Sequence, residues 1–104
     1  MGEQQGEASG AVKERAETKK QHPTMYKVVL LNDDYTTMDF VIQVLEGVFQ
    51  KSPAEAFQIM MHVHRQGRGI AGVYPWELAE TKADTVRTLA SEAGFPLRAT
   101  IEEA

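Results

Sequence analysis

Met25-Tyr26-Lys27-Val28-Val29-Leu30-Leu31 is a short, β-rich apolar run that predicts a strand buried on both faces. Asn32-Asp33-Asp34 breaks it, since short polar side chains bond neighbouring backbone groups and favour turns. Three helical stretches follow. Met38, Val41, Ile42, Leu45, Val48 and Phe49 recur at helical spacing, as do Ala56, Ile59, Met60 and Val63, and later Val86, Leu89, Ala90 and Ala93. Each stretch has a start signal. Thr36 followed by Asp39 resembles a capping box with Asp in the acidic position. Ser52-Pro53-Ala54-Glu55 is a complete one with Pro at the first helical position, and Thr81-Lys82-Ala83-Asp84 repeats the looser form. Gly67 stops the second helix, and Gly94 with Pro96 behind it stops the third. Ile70-Ala71-Gly72-Val73-Tyr74 predicts a second strand. At the end, Leu97, Ala99 and Ile101 alternate with Arg98, Thr100 and Glu102, which predicts a third strand with one wet face. The order β-α-α-β-α-β implies an α+β sandwich, with three helices packed on a three-stranded, mostly antiparallel sheet.

Ahead of this pattern, residues 1–24 hold almost no large apolar side chain. Glu3, Glu7, Glu14 and Glu17 balance Lys13, Arg15, Lys19 and Lys20. Such a segment buries too little surface to offset its ordering entropy, so it is expected to be a disordered arm before a single domain over residues 25–104. The start Met1-Gly2-Glu3-Gln4-Gln5-Gly6 lacks the apolar run of a signal peptide or anchor, and Gly6 fails the myristoylation pattern, so a cytoplasmic protein is expected. Formal charge is −4, from 15 acidic against 11 basic residues, which argues against nucleic acid or an anionic membrane as the main partner. The absence of cysteine excludes disulfides, thiolate metal sites and thiol nucleophiles.

Candidate catalytic groups are few. His62 and His64 form an H-x-H pair, but residues two apart on a helix point about 200° apart and cannot chelate one ion, so no metal is expected. Asp33-Asp34 offers a carboxylate pair for magnesium or acid–base work. Equally, it reads as a solvated turn ahead of a helix N-terminus, where negative charge is favoured. The glycines of Gly67-Arg68-Gly69-Ile70-Ala71-Gly72 precede a strand rather than open a helix, so the dinucleotide-binding reading fails. Residue chemistry alone gives an interaction module with no catalytic set and no cofactor.

Asn32-Asp33-Asp34-Tyr35-Thr36, then Met38-Asp39-Phe40-Val41, then Met60-Met61-His62-Val63-His64-Arg65-Gln66-Gly67 together resemble the ClpS adaptor family. Gly72-Val73-Tyr74, Ala79-Glu80-Thr81-Lys82 and Pro96-Leu97 continue the resemblance in one register over about residues 25–103. It implies a non-enzymatic adaptor that binds N-degrons, proteins beginning with Phe, Tyr, Trp or Leu, and delivers them to a ClpA- or ClpC-type AAA+ unfoldase of the ClpP protease. A monomer is expected.

The resemblance also implies residue roles. A free α-amino group is a cation with three donors; Asn32, a carboxylate from Asp33 or Asp34, and neutral His64 supply its acceptors. Met38, Val41, Met60 and Val63 form the slot for the first side chain, with Leu97 closing its floor, and burial there contributes roughly 1.5–3 kcal/mol. Thr36 caps the first helix, bonds the substrate backbone, or both. Glu77, Thr81 and Lys82 form the unfoldase-docking patch, which the arm, reaching roughly 25–30 Å, serves during delivery. Thr37 departs from the Pro of many members, and the pattern assigns His62 and Trp76 no role. The competing expectation is a scaffold domain of similar α+β build, like the C-terminal domain of the ribosomal stalk protein, with no affinity for N-terminal residues.

Overall fold

The first apolar run forms strand β1 (Met25–Leu31), followed by α1 (Met38–Gly47), α2 (Pro53–Gln66), β2 (Arg68–Pro75), α3 (Trp76–Ala93) and β3 (Arg98–Glu103). This is a computed structural model that describes residues 23–104. The arm expected over residues 1–24 therefore lies, except for Pro23 and Thr24, outside the described residues. β1 is the middle strand of the order β2-β1-β3 and pairs antiparallel with both neighbours. Its central position explains why Val28, Val29 and Leu30 are all fully buried. The architecture is the expected α+β sandwich.

Pleat alternation sorts the sheet's two faces. Val28 and Leu30, opposite Ile101 and Ala99 on β3, join the core beneath the helices. Lys27, Val29 and Leu31 turn to the other side. There Arg68, opposite Leu31, bonds both carboxylate oxygens of Glu102, opposite Lys27, at 2.6 Å. The pair crosses the sheet over Val29, which accounts for that residue's burial on an otherwise open face. A register shift between Val28 and Val29 marks a β-bulge, so that Gly69 and Gly72 both face the helices.

The helix ends follow the sequence with two corrections. Ser52 and Glu55 form the complete capping box, and Gly67 closes α2 in the left-handed region at φ 91°, which glycine adopts without strain. Gly94 closes α3 at φ 80°. The cap of α1, however, is Thr37, whose hydroxyl accepts from the N–H of Phe40; Thr36 is not the cap. The second correction concerns α3, which begins at Trp76, so Thr81 sits inside the helix and caps nothing. β2 runs straight into this helix through Pro75, with no side-chain cap to signal the start. The buried stripe Ala79, Ala83, Val86 and Ala90 is mostly alanine, a weak apolar signal that lets α3 lie close to the sheet. Among the described residues no helix is long and apolar enough to cross a membrane.

Candidate functional site

The end of β1 and the end of α2 are fastened to each other by backbone. Gly67 donates its N–H to Val63 and accepts from the N–H of Asn32, both at 2.9 Å. This brings Asn32 beside the last turns of α2, where Met60, Val63 and His64 occupy one face at helical spacing. The chain then turns through Asp33–Thr36 and enters α1, which presents Met38 and Val41 one turn apart. Between these elements lies a cleft of about 240 Å³. Asn32, Asp33, Asp34, Thr36 and His64 line its polar part, and Met38, Val41, Met60 and Val63 its apolar part. It is smaller than the roughly 300–1,000 Å³ typical of sites for whole drug-sized ligands, so it suits a single side chain with its attached polar group.

The apolar walls differ in exposure. Val41, Met60 and Val63 are core residues, buried to within 7% of completely, whereas Met38 is 43% exposed at the mouth. Gly69 lets α2 sit this close to the sheet: a Cβ there would stand 2.7 Å from Val63 Cγ2. On the polar side, Asp33 is committed internally. Its Oδ1 accepts from the N–H groups of Tyr35 (2.8 Å) and Thr36 (2.7 Å), and its Oδ2 from the Thr36 hydroxyl (2.8 Å). Burial pushes the Asp33 carboxyl up, but the Thr36 N–H and hydroxyl and the Tyr35 N–H outweigh it and hold the carboxyl below its ordinary range. Asp34 makes no side-chain hydrogen bond among the described residues. Asn32, Asp34 and His64 are exposed, with acceptor atoms available to a cation.

The other expected site residues lie elsewhere. Leu97 does not line this cleft; it sits in the core and borders a separate groove between α3 and β3. His62 faces a different surface from His64, beside Phe57 and Arg65, as two-residue spacing on a helix requires. Glu77, Thr81 and Lys82 lie on α3, and the last two border a larger groove of about 520 Å³ between α1 and α3. No carboxylate or imidazole lines that groove, and its cation is engaged: Lys82 Nζ donates to the Val48 carbonyl (2.6 Å) and to Gln50 (3.2 Å), above the Phe49 and Tyr74 rings. The smaller cleft is thus the one that joins a group of carboxylate, amide and imidazole acceptors to apolar walls. Among the described residues no cluster of His, Asp or Glu could hold a metal ion. Sequence reasoning missed the Thr37 cap and the Asp33–Thr36 bonds; Asp with Thr three residues on is the local signal that announces such a turn.

The family model described as ATP-dependent Clp protease adaptor protein ClpS matches residues 21–100 of the sequence. The chain belongs to the ClpS family. It is 55% identical over 89 residues to the ClpS adapter protein of Desulforapulum autotrophicum, covering 86% of each chain. It is 50% identical over 97 residues to the ClpS of Lawsonia intracellularis, covering 93% of this chain and 89% of that one. Among solved structures, Agrobacterium tumefaciens ClpS2 bound to L-phenylalaninamide is similar with a TM-score of 0.77 and 46% identity, covering 80% of this chain and 100% of the other. As a ClpS protein, the chain is an adaptor of the ATP-dependent Clp protease.

Proposed function

We propose that the cleft receives the first residue of a protein with a free N-terminus, and that the adaptor passes this protein to a ClpA- or ClpC-type AAA+ unfoldase. The observation that carries this reading is the convergence of exposed amine acceptors and buried apolar walls in one cleft. Asn32, the Asp33–Asp34 pair and His64 suit an ammonium with three donors. Met38, Val41, Met60 and Val63 suit Phe, Tyr, Trp or Leu. The ligand named for the Agrobacterium relative, L-phenylalaninamide, joins the same two features: a free α-amino group and an aromatic side chain, with an amide in place of the carboxylate. An acetylated terminus lacks those donors and leaves the acceptors unpaired, so discrimination against it is steep. Docking to the unfoldase is assigned to the exposed side of α3, around Glu77 and Thr81 with Lys82 beside them, in the cytoplasm and as a monomer.

Fluorescence anisotropy of short peptides that differ only at residue one tests the reading. Peptides beginning with free Phe or Leu bind at micromolar concentration or below, while Ile and acetyl-Phe peptides do not. Equal binding of Phe and acetyl-Phe would remove amine recognition and leave an interaction module of another kind.

A further inference from the structure

The cleft carries two adjacent carboxylates, and their surroundings differ. Asp33 is half-buried, and both its oxygens already accept hydrogen bonds from the turn that follows it. Asp34 is exposed and carries no such bond among the described residues. A carboxylate has about four acceptor positions, and at Asp33 three are filled from within the chain. Turning that carboxylate toward an incoming ammonium would release two backbone N–H groups and a hydroxyl, two of the three at part-buried positions. Asp34 can turn at no such cost.

We infer that Asp33 is a positioning residue, whose carboxylate fixes the Asp33–Thr36 turn before a ligand arrives and leaves the amine to Asn32, Asp34 and His64. The inference rests on the amine-binding reading of the cleft and divides its acidic pair into two jobs. Asp33 sets the backbone from which Asn32, Asp34 and Thr36 project, and it holds the Thr36 hydroxyl against its own Oδ2. Asn32 is fixed a second time by its N–H on the Gly67 carbonyl, so the turn is tied at both ends. The depressed carboxyl of Asp33 agrees with this arrangement, since its charged form is the one the turn's donors stabilise.

The test compares an isosteric amide with a truncation at each Asp, in the full chain. An Asp33→Asn amide keeps an oxygen for the Tyr35 and Thr36 N–H groups, and the Thr36 hydroxyl can rotate to accept from the new NH₂. Asp33→Ala keeps nothing. Expected for a free-Phe peptide is a loss of at most about threefold for Asp33→Asn, and of tenfold or more for both Asp33→Ala and Asp34→Asn. Combining Asp33→Ala with Thr36→Val adds little to either single change, because they break one network. If Asp33→Asn weakens binding as much as Asp34→Asn, Asp33 meets the amine directly and the inference is wrong. Amide exchange at Tyr35 and Thr36, measured without ligand, gives an independent reading: protection survives in Asp33→Asn and is lost in Asp33→Ala. Equal protection in both variants overturns the positioning role even if the truncation binds poorly. A wild-type protein that binds Phe and acetyl-Phe peptides alike refutes the amine reading instead, and the exchange measurement then still decides what Asp33 does for the turn.

Discussion

At the scale of single residues, His64 and Asp33 serve the cleft in different ways. Neutral His64 can accept from an ammonium, and its protonated form cannot. His64→Ala is therefore expected to weaken binding of a free-Phe peptide about 10- to 100-fold, as loss of one hydrogen bond to a charged group implies. Anisotropy of the variant checks this; an unchanged affinity removes His64 from the amine contact. Asp33 acts through the fold. Its carboxyl is depressed in the folded state, so the stabilisation it lends is complete above the ordinary Asp value of about 3.9 and is lost as pH falls through the lower, folded value. As pH falls below about 4 the Tyr35 and Thr36 amide resonances should shift together, ahead of the core amides. Core resonances moving first would show that the turn is not the acid-sensitive part.

Elements show where sequence reading succeeds and where it stops. Gly67 illustrates success: a glycine after an apolar, capped helix announces a left-handed terminus, and one is there at φ 91°. Replacing it with Ala forces an L-residue into that region and is expected to cost about 1–2 kcal/mol, read as a lower urea midpoint. The same change disturbs the carbonyl that holds Asn32, so binding should weaken beyond what lost stability explains. An unchanged affinity in the folded variant would separate the helix cap from the site. The start of α3 illustrates the limit. Pro75 serves there without a side-chain hydrogen bond, and alanines do the packing, so neither capping nor hydrophobic periodicity had a residue to register. Thr36 and Thr37 differ for a similar reason. Both precede the helix, and only the three-dimensional course of the turn sends one to Asp33 and the other to Phe40. Leu97 carries the apolar character expected of a slot wall, but its side chain is taken up by the core and does not border the cleft. The paired acids, His64, and the Met and Val residues were grouped only by the family resemblance, because they sit on separate elements and spacing within any one of them cannot join them.

Across the whole molecule, Lys82 joins parts of the chain that are far apart in sequence. From the middle of α3 it reaches the carbonyl at the end of α1 and the α1–α2 turn, where Gln50 holds a φ of 53°. A hydrogen bond from a charged donor contributes about 1.5–3 kcal/mol; with partial exposure of this one, about 1 kcal/mol is a fairer expectation. Lys82→Met should lower unfolding stability by that amount in urea, whether or not an unfoldase is present. A variant as stable as the parent would show the bridge to be incidental. Loss of unfoldase binding in this variant would then have two sources, whereas Glu77, exposed on the first turn of α3, reads docking alone. The ion pair between Arg68 and Glu102 has less weight, because both partners are substantially exposed.

Val41, Met60 and Val63 belong to the cleft and to the hydrophobic core at once. On the proposed reading, a guest side chain is thus a temporary extra core residue, and recognition and folding share one set of atoms. The receptor cannot be retuned toward a larger or smaller guest without repacking itself. Nor can a guest bind without bracing its host: at one hundred times its dissociation constant, phenylalaninamide should add about 2.7 kcal/mol to unfolding stability. A melting curve that ignores the ligand would show that it does not bind the folded chain in preference to the unfolded one. Such an adaptor is firmest while it is loaded and loosens when its cargo is pulled away.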